Sequence, residues 1–110
     1  CTIKREAKNM EVSFEFDNHL LIVKLVGELD EHSAEFVRRK MDAVLEDKNY
    51  SAVVLDLSRM SFMDSTGIGV VIGRYKLLRK LNKVLYVKNP SPTVDKIFKM
   101  SGLYEIIERI

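Results

Sequence analysis

Short apolar runs alternating with helical segments constrain this chain most. His19–Val26, Ala52–Leu57 and Val84–Val87 are nearly all apolar, the pattern of strands buried on both faces. Between them lie stretches with the spacing of amphipathic helices. Strands separated by helices are joined by crossovers, which run them parallel and are right-handed. A chain of 110 residues holds one such sheet and one core.

The N-terminal part departs from that rule. Met10, Val12, Phe14 and Phe16 alternate with Glu11, Ser13 and Glu15, the period of a strand with one wet face. Asp17-Asn18 follows as a two-residue hairpin turn, so the first two strands are antiparallel. Residues 1–9 read as a loose polar lead-in.

Gly27-Glu28-Leu29-Asp30 ends the second strand, and Asp30 is placed to cap a first helix over about Glu31–Glu46. Ala34, Val37, Met41, Val44 and Leu45 share its apolar face, with Phe36 pointing away and free to extend a binding surface. Asp47–Ser51 is a loop. A second helix covers Val70–Leu81, with Arg74 inside its apolar arc. Ser91 caps a third, Pro92 opens it and Gly102 stops it, with Val94, Ile97 and Phe98 buried. Leu103–Ile107 is a last edge strand or closing segment. The order β-β-α-β-α-β-α-β predicts a single α/β domain over residues 1–110. Its sheet is mixed but mostly parallel, with an N-terminal antiparallel hairpin and helices packed against it.

The chemistry concentrates in Phe62-Met63-Asp64-Ser65-Thr66-Gly67-Ile68-Gly69, where the chain passes from strand to helix. Free N–H groups and the positive dipole end at such a junction suit a phosphoryl group. Asp, Ser and Thr are also the favoured N-caps, so capping alone accounts for one of them. Three in succession are more than one cap requires. Gly67-x-Gly69-x-x-x-Gly73 is not a dinucleotide loop, because its third glycine comes one residue late. No Gly-Lys-Ser/Thr follows, which excludes a P-loop. Gly69 and Gly73 are four apart and leave a bare strip suited to close helix packing.

Elsewhere the sequence mainly excludes. His19 and His32 are the only histidines and Cys1 the only cysteine, so metal-ligand spacing is absent and no internal disulfide forms. His32 reads as a polar residue on an exposed turn. A Ser-His-Asp nucleophile would need a base that nothing marks, so no catalytic residue and no cofactor are assigned. A net charge of +2 gives weak grounds for nucleic acid, and Arg74, Lys76, Arg79, Lys80 and Lys83 scatter around their helix as a solvated face. The longest apolar run, Leu20–Val23, is far too short to span a bilayer. No signal peptide is visible. An initial Cys fits either a mature lipoprotein or an initiator region missing or replaced, and the second is the expectation. The location expected is the reducing cytosol.

Several segments together resemble the STAS domain of bacterial anti-sigma factor antagonists. They are Gly27-Glu28-Leu29-Asp30, the strand Val53–Leu57, Ser61 to Gly69, Gly73-Arg74-Tyr75-Lys76 and Met100-Ser101-Gly102-Leu103, in order and at the family's spacing over residues 10–110. Gly73-Arg74-Tyr75-Lys76 favours the sporulation branch over the general-stress one. The resemblance implies partner switching. The unphosphorylated antagonist binds an anti-sigma factor and releases sigma. The anti-sigma factor, itself a serine kinase using ATP, phosphorylates Ser65, and a metal-dependent Ser/Thr phosphatase restores it. Thr66 stands where many members carry a second serine and is the alternative acceptor. The implied partner face is Asp30, Asp64, Ser65, Thr66, Gly67, Ile68 and Gly69, on a monomer. Other readings are a nucleotide-binding STAS module, a stressosome or general-stress paralogue, and the cytoplasmic domain of an anion transporter.

Overall fold

The computed structural model describes residues 3–4, 10–47 and 49–110. Its strands are β1 (Ile3–Lys4), β2 (Met10–Asp17), β3 (Leu20–Leu29), β4 (Ala52–Asp56), β5 (Met60–Met63), β6 (Val84–Lys88) and β7 (Glu108–Arg109). The helices are α1 (Ala34–Leu45), α2 (Ser65–Lys80) and α3 (Pro92–Ser101), with a 3-10 turn at Leu103–Glu105. The strands form one mixed sheet in the order β1-β2-β3-β4-β6-β7, with β5 paired to the far end of β3. β1–β2 and β2–β3 are antiparallel and the other pairs parallel, as the alternation of runs and helices requires.

Register sets the core. Leu21, Val53 and Leu85 stand abreast, as do Val23, Leu55 and Val87, and all six are buried. Side chains directly opposite one another share a face of the sheet, so these two rows form an apolar floor. α1 adds Val37, Met41 and Leu45, α2 adds Val70, Val71 and Leu78, and α3 adds Val94 and Phe98. The third helix follows its sequence cues closely. Ser91 Oγ accepts from the Val94 amide, Pro92 lies in the first turn, and Gly102 closes the helix at φ +80°.

Several expectations need correction. The hairpin turn is Asn18-His19 rather than Asp17-Asn18, because Asp17 pairs with Leu20 and Asn18 takes the positive φ of +57°. Ile3 and Lys4 are not a loose lead-in but pair with Ser13 and Val12; the remainder of residues 1–9 lies outside the described residues. α1 begins at Ala34, with Ser33 in the cap position, and Asp30 caps only the turn that leads into it. Phe36 is 5% exposed and belongs to the same apolar cluster as Met41 and Leu45, so it offers no surface to a partner. Judging α1 by one stripe missed it, because this helix buries more than one arc.

α2 starts at Ser65, five residues before the expected Val70, so the first two glycines lie inside the helix. Gly73 packs against nothing: a Cβ there would meet no atom within 4 Å. At about 100° per residue, Gly69 and Gly73 point away from the arc of Gly67, Val71 and Leu78 that faces the core. Leu81 also leaves the expected apolar arc, at 47% exposed. Arg74, in contrast, is only 11% exposed, and its Nε lies 3.0 Å from Asp42 Oδ1 of α1, an ion pair joining the two helices.

Candidate functional site

β5 makes the site. This short strand pairs in parallel with the end of β3, setting Phe62 opposite Glu28 and Met63 opposite Leu29. The Asp64 amide continues the ladder, donating to the Leu29 carbonyl at 3.2 Å. Neighbouring strands lie about 4.8 Å apart, so Asp30 and the Asp64-Ser65 pair leave the sheet side by side. An irregularity at Gly27/Glu28, with Gly27 at φ +116°, lets β3 turn toward this partner, and the Gly27 amide donates to the Arg59 carbonyl. Ser91 Oγ donates to the Met60 carbonyl and ties α3 to the same strand.

Asp30 is held by its own turn. Its Oδ1 accepts from the amides of His32 at 2.9 Å and Ser33 at 3.2 Å. Ser33, the one buried polar residue among those described, donates through Oγ to the Glu28 carbonyl and accepts from the Asp30 amide. Sequence reasoning missed Ser33, whose only mark was its position three residues after an Asx turn residue.

Asp64 is the cap of α2. Its backbone is extended and its Oδ1 accepts from the Gly67 amide at 3.0 Å, while its carbonyl accepts from the Ile68 amide. Capping is therefore done without Ser65 or Thr66. Both lie exposed in the first turn, and among the described residues neither hydroxyl makes a hydrogen bond. Gly67 is a matter of space: a Cβ would lie 2.5 Å from the Leu29 carbonyl oxygen and 2.9 Å from Met63 Cγ. Only glycine lets α2 start this close to the strand ends.

The candidate residues thus share one edge. Asp30 and Asp64 are half-buried, Ser65, Thr66 and Gly69 exposed, Ile68 half-buried and Gly67 buried beneath them. Gly69 follows Ser65 by one helical turn on the outward side of α2. Glu28 and Glu31 add carboxylates to this edge, and Phe62, 44% exposed opposite Glu28, adds an apolar surface. Phe62 was legible only as part of the motif; its outward aim follows from β5, which sequence reasoning did not find. His32 borders the edge, its Nε2 3.8 Å from Glu31, whereas His19 lies in the hairpin turn at the other end of β3. Among the described residues no group of three or more His, Cys, Asp or Glu is arranged to hold a metal ion. No helix among them is long and apolar enough to cross a membrane.

A surface hydroxyl at a helix N-terminus, with no hydrogen bond among the described residues, can accept a phosphoryl group. Comparison with known proteins agrees with a regulatory role. The sequence pattern of the STAS domain matches residues 11–110. The anti-sigma F factor antagonist of Paenibacillus polymyxa is 38% identical over 90% of this chain and 85% of its own length. The anti-sigma-B factor antagonist of Bacillus subtilis is 31% identical over 91% and 90%. Among solved structures, the anti-sigma factor antagonist SpoIIAA in its unphosphorylated form superposes with a TM-score of 0.75 at 33% identity, covering 90% of this chain and 87% of that one. The Bacillus SpoIIAA in the phosphorylated form gives 0.69 at 32% identity and 90% of each chain. These relatives are regulatory proteins and not enzymes.

Proposed function

This chain belongs to the STAS-domain family of anti-sigma factor antagonists, and from that premise we propose that it is the substrate and target of a kinase anti-sigma factor. Unphosphorylated, it binds that protein through Asp30, Asp64, Ser65, Thr66, Gly67, Ile68 and Gly69 and frees the sigma factor. The kinase then transfers the γ-phosphoryl group of ATP to Ser65 Oγ, releasing ADP, while the hydroxyl proton passes to a base of the kinase. A Ser/Thr phosphatase hydrolyses the ester and resets the switch. Thr66 is the alternative acceptor. The working unit is a monomer in the cytoplasm, in the sporulation branch of the family, which the 38% identity to the anti-sigma F factor antagonist supports.

One observation carries the reading. The cap of α2 is supplied by Asp64, which leaves the Ser65 hydroxyl exposed beside Asp30 on the partner edge. Phosphorylation there adds about −1.5 to −2 charges to an edge that already holds four carboxylates, Glu28, Asp30, Glu31 and Asp64. A partner surface fitted to the neutral hydroxyl then meets a bulky dianion. That a relative has been solved in both states, each similar to this chain, supports a switch that works by charge and bulk on a constant fold.

The test is incubation with the cognate anti-sigma kinase and ATP, followed by mass spectrometry. One added phosphate on Ser65, absent from Ser65→Ala, is the expected result. Full modification of Ser65→Ala would move the site to Thr66 or elsewhere.

A further inference from the structure

A second surface lies at the opposite end of α2 from Ser65. The helix runs 16 residues, so its C-terminus is about 24 Å from the acceptor. There residues from the ends of α1 and α2 line a groove of about 530 Å³. Its apolar lining is Leu77, half-buried, and Leu81, 47% exposed, with the buried Leu45 beneath them. Asp42, Glu46 and Asp47 form its acidic flank. Lys83 is the basic residue of the lining, and its ammonium is drawn onto the Tyr50 ring, 3.5 Å from the centroid. Asp42 is engaged by Arg74, while Glu46 and Asp47 are exposed to solvent.

We propose that this groove is a docking site for a basic amphipathic helix of another protein, separate from the Ser65 edge. A helix laid between two helix ends buries leucine-type anchors against the half-buried Leu77 and the exposed Leu81, the usual helix-in-groove arrangement. Its flanking Lys and Arg side chains then meet Glu46 and Asp47, which a neutral or acidic segment would leave unpaired. Because the two surfaces are at opposite poles, a protein held here leaves the partner edge open. The antagonist can therefore be tethered while it cycles between phosphorylation states.

The probe is a synthetic peptide of leucine and lysine at helical spacing, about five turns long, with a leucine–glutamate peptide of the same pattern as control. In ¹⁵N-labelled full-length protein, the lysine peptide is expected to shift the amides of residues 42–47 and 77–83 and to leave those of residues 28–32 and 62–69 in place. Leu81→Asp and the double variant Glu46→Lys/Asp47→Lys should each weaken binding about tenfold or more. The double variant alters exposed side chains only, so it keeps the test valid if Leu81→Asp perturbs folding. Ser65→Asp should bind the peptide as well as the wild type, a result that holds whether or not Ser65 is the phosphorylation site. Equal binding of the glutamate peptide, shifts centred on residues 62–69, or no saturation by about 1 mM would overturn the proposal. So would a concentration-dependent dimer in sedimentation velocity that Leu81→Asp abolishes, since a second copy of the chain would then be the occupant.

Discussion

The Asp64 amide donates to the Leu29 carbonyl at 3.2 Å, and through that contact two separate stretches of sequence become one surface. It fixes where α2 starts relative to β3, and so brings Asp30 beside Ser65. The same carbonyl oxygen is the atom a side chain at residue 67 would strike first. Strand pairing, helix capping and the space at Gly67 are thus one arrangement.

Gly67→Ala should therefore destabilise by about 1–3 kcal/mol, the range for forcing a methyl group into a filled site. Its Cβ meets the Leu29 carbonyl at 2.5 Å and Leu29 Cγ at 2.8 Å, and the backbone oxygen cannot swing away. Gly73→Ala should do the opposite, adding about 0.5–1 kcal/mol, since helix propensity rises and nothing lies within 4 Å. Urea denaturation of both variants measures the contrast. Equal destabilisation by the two would show that the helix is placed otherwise.

The glycines also show what the sequence could convey. Apolar patterning located all three helices and the strands β2, β3, β4 and β6, whereas the last strand, expected at Leu103–Ile107, lies at Glu108–Arg109 beyond a 3-10 turn. β5 escaped that patterning: Met60 to Met63 is four residues with only its ends buried, and its strand character comes from pairing with Glu28 and Leu29 across the fold. Without β5 the start of α2 was set too late, and Phe62 could not be aimed. Gly73 was read as a packing residue because spacing alone says that two glycines share a strip, and not which way the strip faces. The adjacency of Asp30 and Ser65 was legible as a consequence of parallel strands, whereas the division of labour between Asp64 and Ser65 needed the hydrogen bond itself.

That division can be tested at Asp64. Asp64→Ala removes the acceptor of the Gly67 amide and should cost about 1 kcal/mol of stability. Asp64→Asn keeps an acceptor in place and should remain within a few tenths of a kcal/mol of the wild type. Chemical denaturation separates the two. If Asn is as costly as Ala, the carboxylate charge and not its hydrogen bond holds the helix start.

At Ser65 the expected effects are functional and not structural, because the side chain is exposed and its hydroxyl makes no hydrogen bond among the described residues. Ser65→Ala and Ser65→Asp should both melt close to the wild type. Calorimetry with the anti-sigma factor should show Ser65→Asp binding at least about tenfold more weakly, a difference of about 1.4 kcal/mol. Undiminished binding would remove charge as the basis of the switch.

The C-terminal segment carries its own pH dependence, remote from that edge. Tyr104 Oη donates to Asp95 Oδ1 at 2.5 Å, and Lys99 and Arg109 pair with the same carboxylate at 3.1 and 3.0 Å. The Tyr104 hydrogen bond, then Lys99 and Arg109, hold the Asp95 carboxyl below its ordinary value of 3.8. Burial, helped by the Asp95 hydrogen bond and charge, pushes Tyr104 from 10.0 up to about 12. A raised pKa means the folded state holds the proton longer, so Tyr104's contribution is whole below pH 10 and is lost as the pH climbs from there toward 12. The depressed Asp95 works in the other direction: its contribution is present above 3.8 and is lost as the pH falls through the lowered folded value. Tyr104→Phe removes the phenol and the strongest hydrogen bond to Asp95 together. The decline in melting temperature between pH 10 and 12 should then become shallower, the buried Tyr50, also raised, accounting for part of what is left, and carboxyl ¹³C titration should place Asp95 nearer to 3.8. An alkaline limb unchanged in Tyr104→Phe would assign it to another group, and an unmoved Asp95 would leave Lys99 and Arg109 as the residues that set it.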